Sequence, residues 1–167
     1  NFRIERDDIG VGTPLERFNH NRMAIQLLKK LEDEHRLADT NEQRILADYV
    51  GWGGLSDYFK EDNPHYQELK ELLTEDEYAS ARESTLTAFY TPPVVIKAVY
   101  SALENMHFRT GDVLEPSCGI GNFMGLVPES MASAQFYGVE LDSISGRIAQ
   151  QLYQNSSIAV QGFEDTN

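Results

Sequence analysis

From residue 88 onward the chain alternates short apolar runs with stretches of helical spacing, and no other feature limits the fold as much. The runs "DVLEP", "AQFYGVELD" and "SIAVQGF" read as strands. Between and before them, "TPPVVIKAVYSALENM", "GNFMGL" and "SISGRIAQQLY" read as helices. In the first of these, Thr91 is expected to cap the helix and Pro92 to take the first helical position, where a missing N–H costs nothing. Its predicted buried stripe is Val95, Val99, Ala102, Leu103 and Met106. In the last, Ile144, Ile148 and Leu152 face inward. Strands separated by helices of this length must lie parallel, joined by right-handed crossovers. The expected fold class is α/β, with residues 88–167 forming the opening three strands of a doubly wound sheet.

Residues 1–87 have a different texture, that of an all-helical region. "FNHNRMAIQLLKKLEDEHRLA" sets Met23, Leu27 and Leu31, with Ala24 and Leu28, on one stripe, with Asn19 or Asn21 as N-cap. "TNEQRILADYV" is a second helix, capped by Thr40 or Asn41 and ended by Gly51. "HYQELKELL" and "TEDEYASARES" follow, the latter opening with Thr74 and Glu77 at capping-box spacing. Between the second and third helices, "GWGGL" reads as a loop that tucks Trp52 into a local core.

The chain has 167 residues, 41% of them hydrophobic, and a net charge of −13 that is shared by both halves. Phosphate backbones reward Lys and Arg, so this acidic segment is expected to have little affinity for nucleic acid on its own. No apolar run approaches the roughly 20 residues that cross a bilayer, and the start "NFRIERDDIG" is charged rather than signal-like. With Cys118 as the only cysteine, a reducing, cytoplasmic location is the expectation. His20, His35, His65 and His107 show no ligand spacing, so no metal is expected.

In open parallel sheets, ligands sit beyond the carboxyl ends of the strands. Glu115 stands at the end of the first strand, followed by Ser117, Cys118, Gly119 and Gly121 in a turn that a ligand can approach closely. The N–H groups at the start of the next helix are expected to hold its polar atoms. Cys118 reads as a small residue filling that loop, since no histidine lies near it in sequence to activate it. Glu140 ends the second strand about 20 residues later, placed to accept from both hydroxyls of a ribose. The third strand is expected to end at Phe163, a ring suited to stacking on a purine. A dinucleotide fingerprint fits poorly, because Met124 stands where its third glycine belongs. Glu115 would also repel a pyrophosphate. A cationic nucleoside suits the pair of acids better, and S-adenosylmethionine, with its sulfonium and ammonium, is the cofactor expected.

These residues resemble the amino-group DNA methyltransferases, above all the adenine-specific ones in which a "TPP" element precedes the glycine loop. "FYTPPVVIKAV" is similar to their N-terminal cofactor motif, "VLEPSCGIGNF" to their glycine motif, "YGVELD" to their ribose motif and "QGFED" to the following strand. With "FNHNRMAIQLLKKLE" and "ILADYVGWGGL", the whole chain resembles the large helicase–methylase proteins of bacterial conjugative elements. The resemblance implies a partial Rossmann-like methyltransferase sheet, methyl transfer to the exocyclic amino group of adenine, and DNA contact through other parts of a longer parent.

By the same resemblance, Thr91 contacts the methionine carboxylate, Glu115, Ser117, Gly119 and Gly121 surround the methionine moiety, and Cys118 lines the loop. Glu140 binds the ribose, Leu141 flanks the adenine and Phe163 packs on it. The family's acid before that aromatic, which bonds the adenine amino group, is Gly162 here, leaving Glu164 or Asp165 to substitute. The family's catalytic Asn-Pro-Pro-aromatic tetrad would lie beyond Asn167, so no catalytic residue is assigned and the segment alone is expected to be inactive. The alternative is a non-catalytic interaction module with a weakened pocket. The first strand should also be an exposed edge, recruiting a second copy through residues 112–116 or covered by the N-terminal helices.

Overall fold

Several helix starts in this chain are fixed by short polar side chains that accept from the first free N–H groups. Thr13 caps α1 (Pro14–Asp33) in a reciprocal box with Glu16. Asp39 and Glu42 do the same for α2 (Thr40–Leu46), and Thr74 and Glu77 for α4 (Glu75–Ser84). With α3 (Tyr66–Leu72), these helices form one of two compact units, Gly10–Tyr90. The second unit pairs residues 1–9 with the chain from Thr91 onward. The computed structural model describes residues 1–166.

Within the helical unit, Phe18 stacks on Tyr58 with ring centroids 4.3 Å apart, and Phe59 meets Trp52 edge-on. Trp52 is buried with Leu28, Leu31, Leu46 and Leu69. Two expectations for α1 are corrected. Asn19 and Asn21 are not caps, because Thr13 starts the helix earlier. Met23 is half exposed, the buried stripe running instead through Phe18, Asn21, Ala24, Ile25, Leu28 and Leu31. Asn21 is wholly buried because its amide serves the glycine loop: Nδ2 donates to the Gly51 carbonyl and Oδ1 accepts from the Val50 N–H. The second helix is likewise capped by Asp39 rather than Thr40 or Asn41, and it ends at Leu46, short of Gly51.

In the other unit, α5 (Pro93–Asn105) leads into β1 (Asp112–Glu115), α6 (Asn122–Gly125), β2 (Gln135–Glu140), α7 (Ser143–Leu152) and β3 (Ser157–Val160). The three strands are parallel in the order β1-β2-β3, with Glu115 opposite Gly138 and Glu140 opposite Val160. The fold is therefore α/β, with helices and a three-stranded parallel sheet. Because β2 is central, the tips of β1 and β2 are neighbours, and this places two carboxylates beside one turn.

The stripe predicted for α5 is corrected. Ile96 and Tyr100 are buried, in one cluster with Leu126, Met131 and the half-buried Leu103, whereas Val95, Val99 and Met106 are exposed. Apolar residues surround most of this helix, so spacing alone could not choose its inner face. The cap of α5 is Pro92 with Pro93 first in the helix, not Thr91 with Pro92. Residues 1–4 run along this unit: the Phe2 N–H donates to Leu152 O and the Ile4 N–H to Gly125 O. Among the described residues, no helix is long and apolar enough to cross a membrane.

Candidate functional site

The turn between β1 and α6 is shaped by three glycine requirements. Gly119 and Gly121 have φ of 56° and 83°, in the left-handed region that favours glycine. Gly138, mid-strand on β2, leaves room for Cys118 and Met124, whose Sγ and Cε lie 2.9 Å from where a Cβ would stand. The turn is closed by the Cys118 N–H, which donates to Val139 O, and by the Gly121 N–H, which donates to Cys118 O.

Glu140 braces this turn. Its Oε2 accepts from the Gly119 N–H at 2.6 Å and its Oε1 from the Asp142 N–H at 2.8 Å, with the side chain only 8% exposed. Glu115 differs in its hydrogen bonding. Among the described residues its buried Oε2 has no hydrogen-bond partner, and burial, reinforced by the nearby charge of Glu140, pushes its carboxyl up to about 8. Burial first, then Glu115 and Glu140, drives the Cys118 thiol up to about 12. A thiol so raised is inert at neutral pH.

Tyr153, just past α7, lies beneath the same turn. A Cβ on Gly121 would stand 2.4 Å from its ring, and one on Gly125 2.5 Å from its hydroxyl. That hydroxyl is buried with no partner among the described residues, and its titration is shifted far upward by burial and then by Glu115. Tyr100 of α5 donates to Phe123 O, and it too is shifted upward by burial and then by Glu115. Neither tyrosine was legible as a site residue, although Gly138 inside a strand was a usable sign of close packing.

Of the expected site residues, the fold gathers Glu115, Cys118, Gly119, Gly121 and Glu140 around one turn. Thr91, Ser117, Leu141 and Phe163 are exposed and stand outside this buried cluster. The third strand ends at Val160 and not at Phe163, which opens a 3-10 turn over Phe163–Asp165. Pairing with β2 stops at Val160, and beyond it Glu164 folds back over Gly162, its carboxylate 2.8–2.9 Å from where a Cβ there would stand. Helix α6 has four residues, too short for its N-terminus to act as the polar-atom site expected there. Among the described residues, no group of His, Cys, Asp and Glu is arranged to hold a metal ion.

No family model matches the chain. The curated proteins include a relative, the "Defense against restriction protein B" of Escherichia phage P1, 28% identical over 144 residues. The match takes in 86% of this chain and 5% of that protein's length. No solved structure matches. This relative overturns the resemblance read from the motifs. Its name is that of an anti-restriction protein and not of a methyltransferase. The assignment to an adenine-specific DNA methyltransferase, the helicase–methylase parent of a conjugative element and methyl transfer as the reaction are all corrected by that finding.

Proposed function

We propose that the chain is a ligand-binding segment of a larger protein that acts in defense against restriction, and that it holds S-adenosylmethionine without consuming it. The role follows the relative in phage P1, of which the chain matches 5% of the length. The ligand rests on one observation: Glu115 ends β1 beside Glu140 at the end of β2, with a buried carboxylate oxygen that has no hydrogen-bond partner among the described residues. Such an acid is costly to ionise where it stands, and a cation beside it would offset that cost. In this reading the parallel sheet is the opening of a Rossmann-like fold, Glu140 and the glycine turn frame the ribose and methionine moieties, and Leu141 and Phe163 offer exposed apolar surface to the adenine. Thr91 and Ser117 border the methionine end. Glu164, folded over Gly162, supplies the acid toward the adenine amino group.

Isothermal calorimetry with S-adenosylmethionine tests the ligand: saturable one-to-one binding supports it, and no heat at millimolar concentration sinks it. Survival of incoming DNA in restricting cells, with and without this segment in the parent protein, tests the role. β1 pairs only with β2 among the described residues, and Leu114 on it is 53% exposed. Self-association through this edge belongs to the same proposal, and light scattering reads it directly. Any nucleic-acid contact belongs to other parts of the parent, given the charge of −13.

A further inference from the structure

The two carboxylates at the strand tips are not equivalent, and the difference has a functional consequence. Each oxygen of Glu140 is engaged by a backbone N–H, so this side chain is committed to the turn. Glu115 is half-buried, and among the described residues its buried Oε2 has no donor. Its neighbours are Glu140 on β2, Cys118 in the turn, Tyr153 after α7 and Tyr100 on α5, none of them a cation. The basic residues of this unit are spent elsewhere: Arg3 faces Glu129, Arg6 faces Asp8 and Lys97 faces Asp7, while Arg109 and Arg147 bond backbone carbonyls of their own segments. A carboxylate cannot stay ionised cheaply in such surroundings.

We infer that Glu115 is the charge-selecting residue of this cradle: it is a neutral carboxyl while the site is empty, and it passes its proton to solvent as a cationic nucleoside docks. The inference rests on the proposed ligand class and adds to it a specificity rule. Nothing is oxidised or transferred except that proton, and the ligand's positive charge replaces it beside the carboxylate. A nucleoside that lacks the charge leaves Glu115 protonated and gains nothing from it. The site therefore reports the cationic form of the ligand over its neutral relatives, and uptake becomes tighter as pH rises toward the titration of the empty site.

Calorimetry in phosphate and in Tris, buffers of different ionisation enthalpy, counts the protons released. The probes are S-adenosylmethionine and 5′-methylthioadenosine, which keeps the nucleoside and sulfur but carries no charge. With a Glu115 carboxyl titrating near 8, affinity for the cationic probe should rise about tenfold from pH 6 to pH 7, with close to one proton released. The neutral probe should release none and bind with flat pH dependence. Glu115→Gln should abolish the release and flatten the profile for the cationic probe, leaving the neutral one unchanged. The titration of Glu115 in the empty protein, followed by its side-chain carbon resonance, gives a second readout that needs no variant. Binding of S-adenosylmethionine without proton release, release that persists in Glu115→Gln, or an ordinary carboxylate titration in the empty protein each overturns the inference while leaving the ligand intact. Absence of binding overturns the ligand itself, and the inference with it.

Discussion

The Gly119 N–H donates to Glu140 Oε2 across 2.6 Å, tying the glycine turn after β1 to the tip of β2. The same carboxylate accepts from the Asp142 N–H, so one side chain holds two backbone segments in register. Charge-assisted bonds of this kind are stronger than neutral ones, and the buried N–H left behind by a truncation is costly. Glu140→Ala should therefore lose about 2–4 kcal/mol of stability, and Glu140→Gln, which keeps one acceptor oxygen, less. Urea denaturation followed by far-UV circular dichroism measures both. An unchanged midpoint for Glu140→Ala would mean that the turn stands without its brace.

Glu115 should make stability depend on pH in the direction opposite to that of a paired carboxylate. Its folded titration is raised from 4.5 to about 8 by burial and then by Glu140, so the folded state binds the extra proton between those values. The stability this confers is fully present below the lower value and is lost as pH rises through the upper one. Glu115→Gln removes this slope and should raise the melting temperature at pH 8.5, by on the order of 2 kcal/mol in stability, while changing little at pH 5. Thermal melts of the two proteins at both pH values decide it; parallel curves would count against a buried neutral acid.

What could be read from the letters divides along physical lines. The parallel sheet was legible because β1, β2 and β3 are short apolar runs spaced by helix-length segments, a pattern with few topological solutions. That Glu115 and Glu140 stand at neighbouring strand tips followed from strand-end logic alone. The inner face of α5 was not legible, because Val95, Val99 and Met106 are as apolar as the Ile96 and Tyr100 that are buried. The end of β3 was misplaced because nothing in the local sequence marks Val160 as the last residue paired with β2. Tyr153 escaped notice since its place under Gly121 depends on the crossover of α7, a long-range relation that no local pattern carries. The loss of a methyltransferase assignment follows a general rule: sequence motifs and the fold they suggest do not by themselves declare a chemistry.

Asn21 should behave as a core residue of the helical unit. Its amide spans the Gly51 carbonyl at 2.7 Å and the Val50 N–H at 2.9 Å, and the side chain has no exposure to solvent. Asn21→Leu leaves both backbone groups unsatisfied in a dry interior, at a cost of about 2–4 kcal/mol. Trp52 is the only tryptophan and sits in the adjoining loop, so its fluorescence reports the unfolding of this unit. A variant that unfolds at the wild-type urea concentration would show the amide to be dispensable.

Glu164 should tune ligand choice without touching the fold. It is exposed, and its carboxylate stands over Gly162 where an acid on the preceding residue would begin. If it meets the adenine amino group, the wild-type chain should prefer adenosine to inosine by about tenfold, one good hydrogen bond to a charged group. Glu164→Ala should bring the two to near equality with an unchanged melting temperature. Retained preference in that variant would place the discriminating group elsewhere.

Gly121 and Tyr153 give a paired test of how the turn is packed. Gly121 has φ of 83°, and a Cβ there would stand 2.4 Å from the Tyr153 ring. Gly121→Ala must therefore bear both a left-handed backbone at about 1–2 kcal/mol and an overpacking term of about 1–3 kcal/mol. Tyr153→Phe should act in the other direction, because the hydroxyl it deletes is buried with no partner among the described residues and its loss removes an unsatisfied polar group worth about 1–3 kcal/mol. The overlap involves ring carbons that phenylalanine keeps, so the second substitution should not rescue the first, and the two effects should add. Tyr153→Leu, which takes away the ring, should relieve Gly121→Ala in part. Urea midpoints for the two double variants, set against their single parents, separate backbone strain from ring overlap: rescue by leucine but not by phenylalanine locates the clash in the aromatic ring.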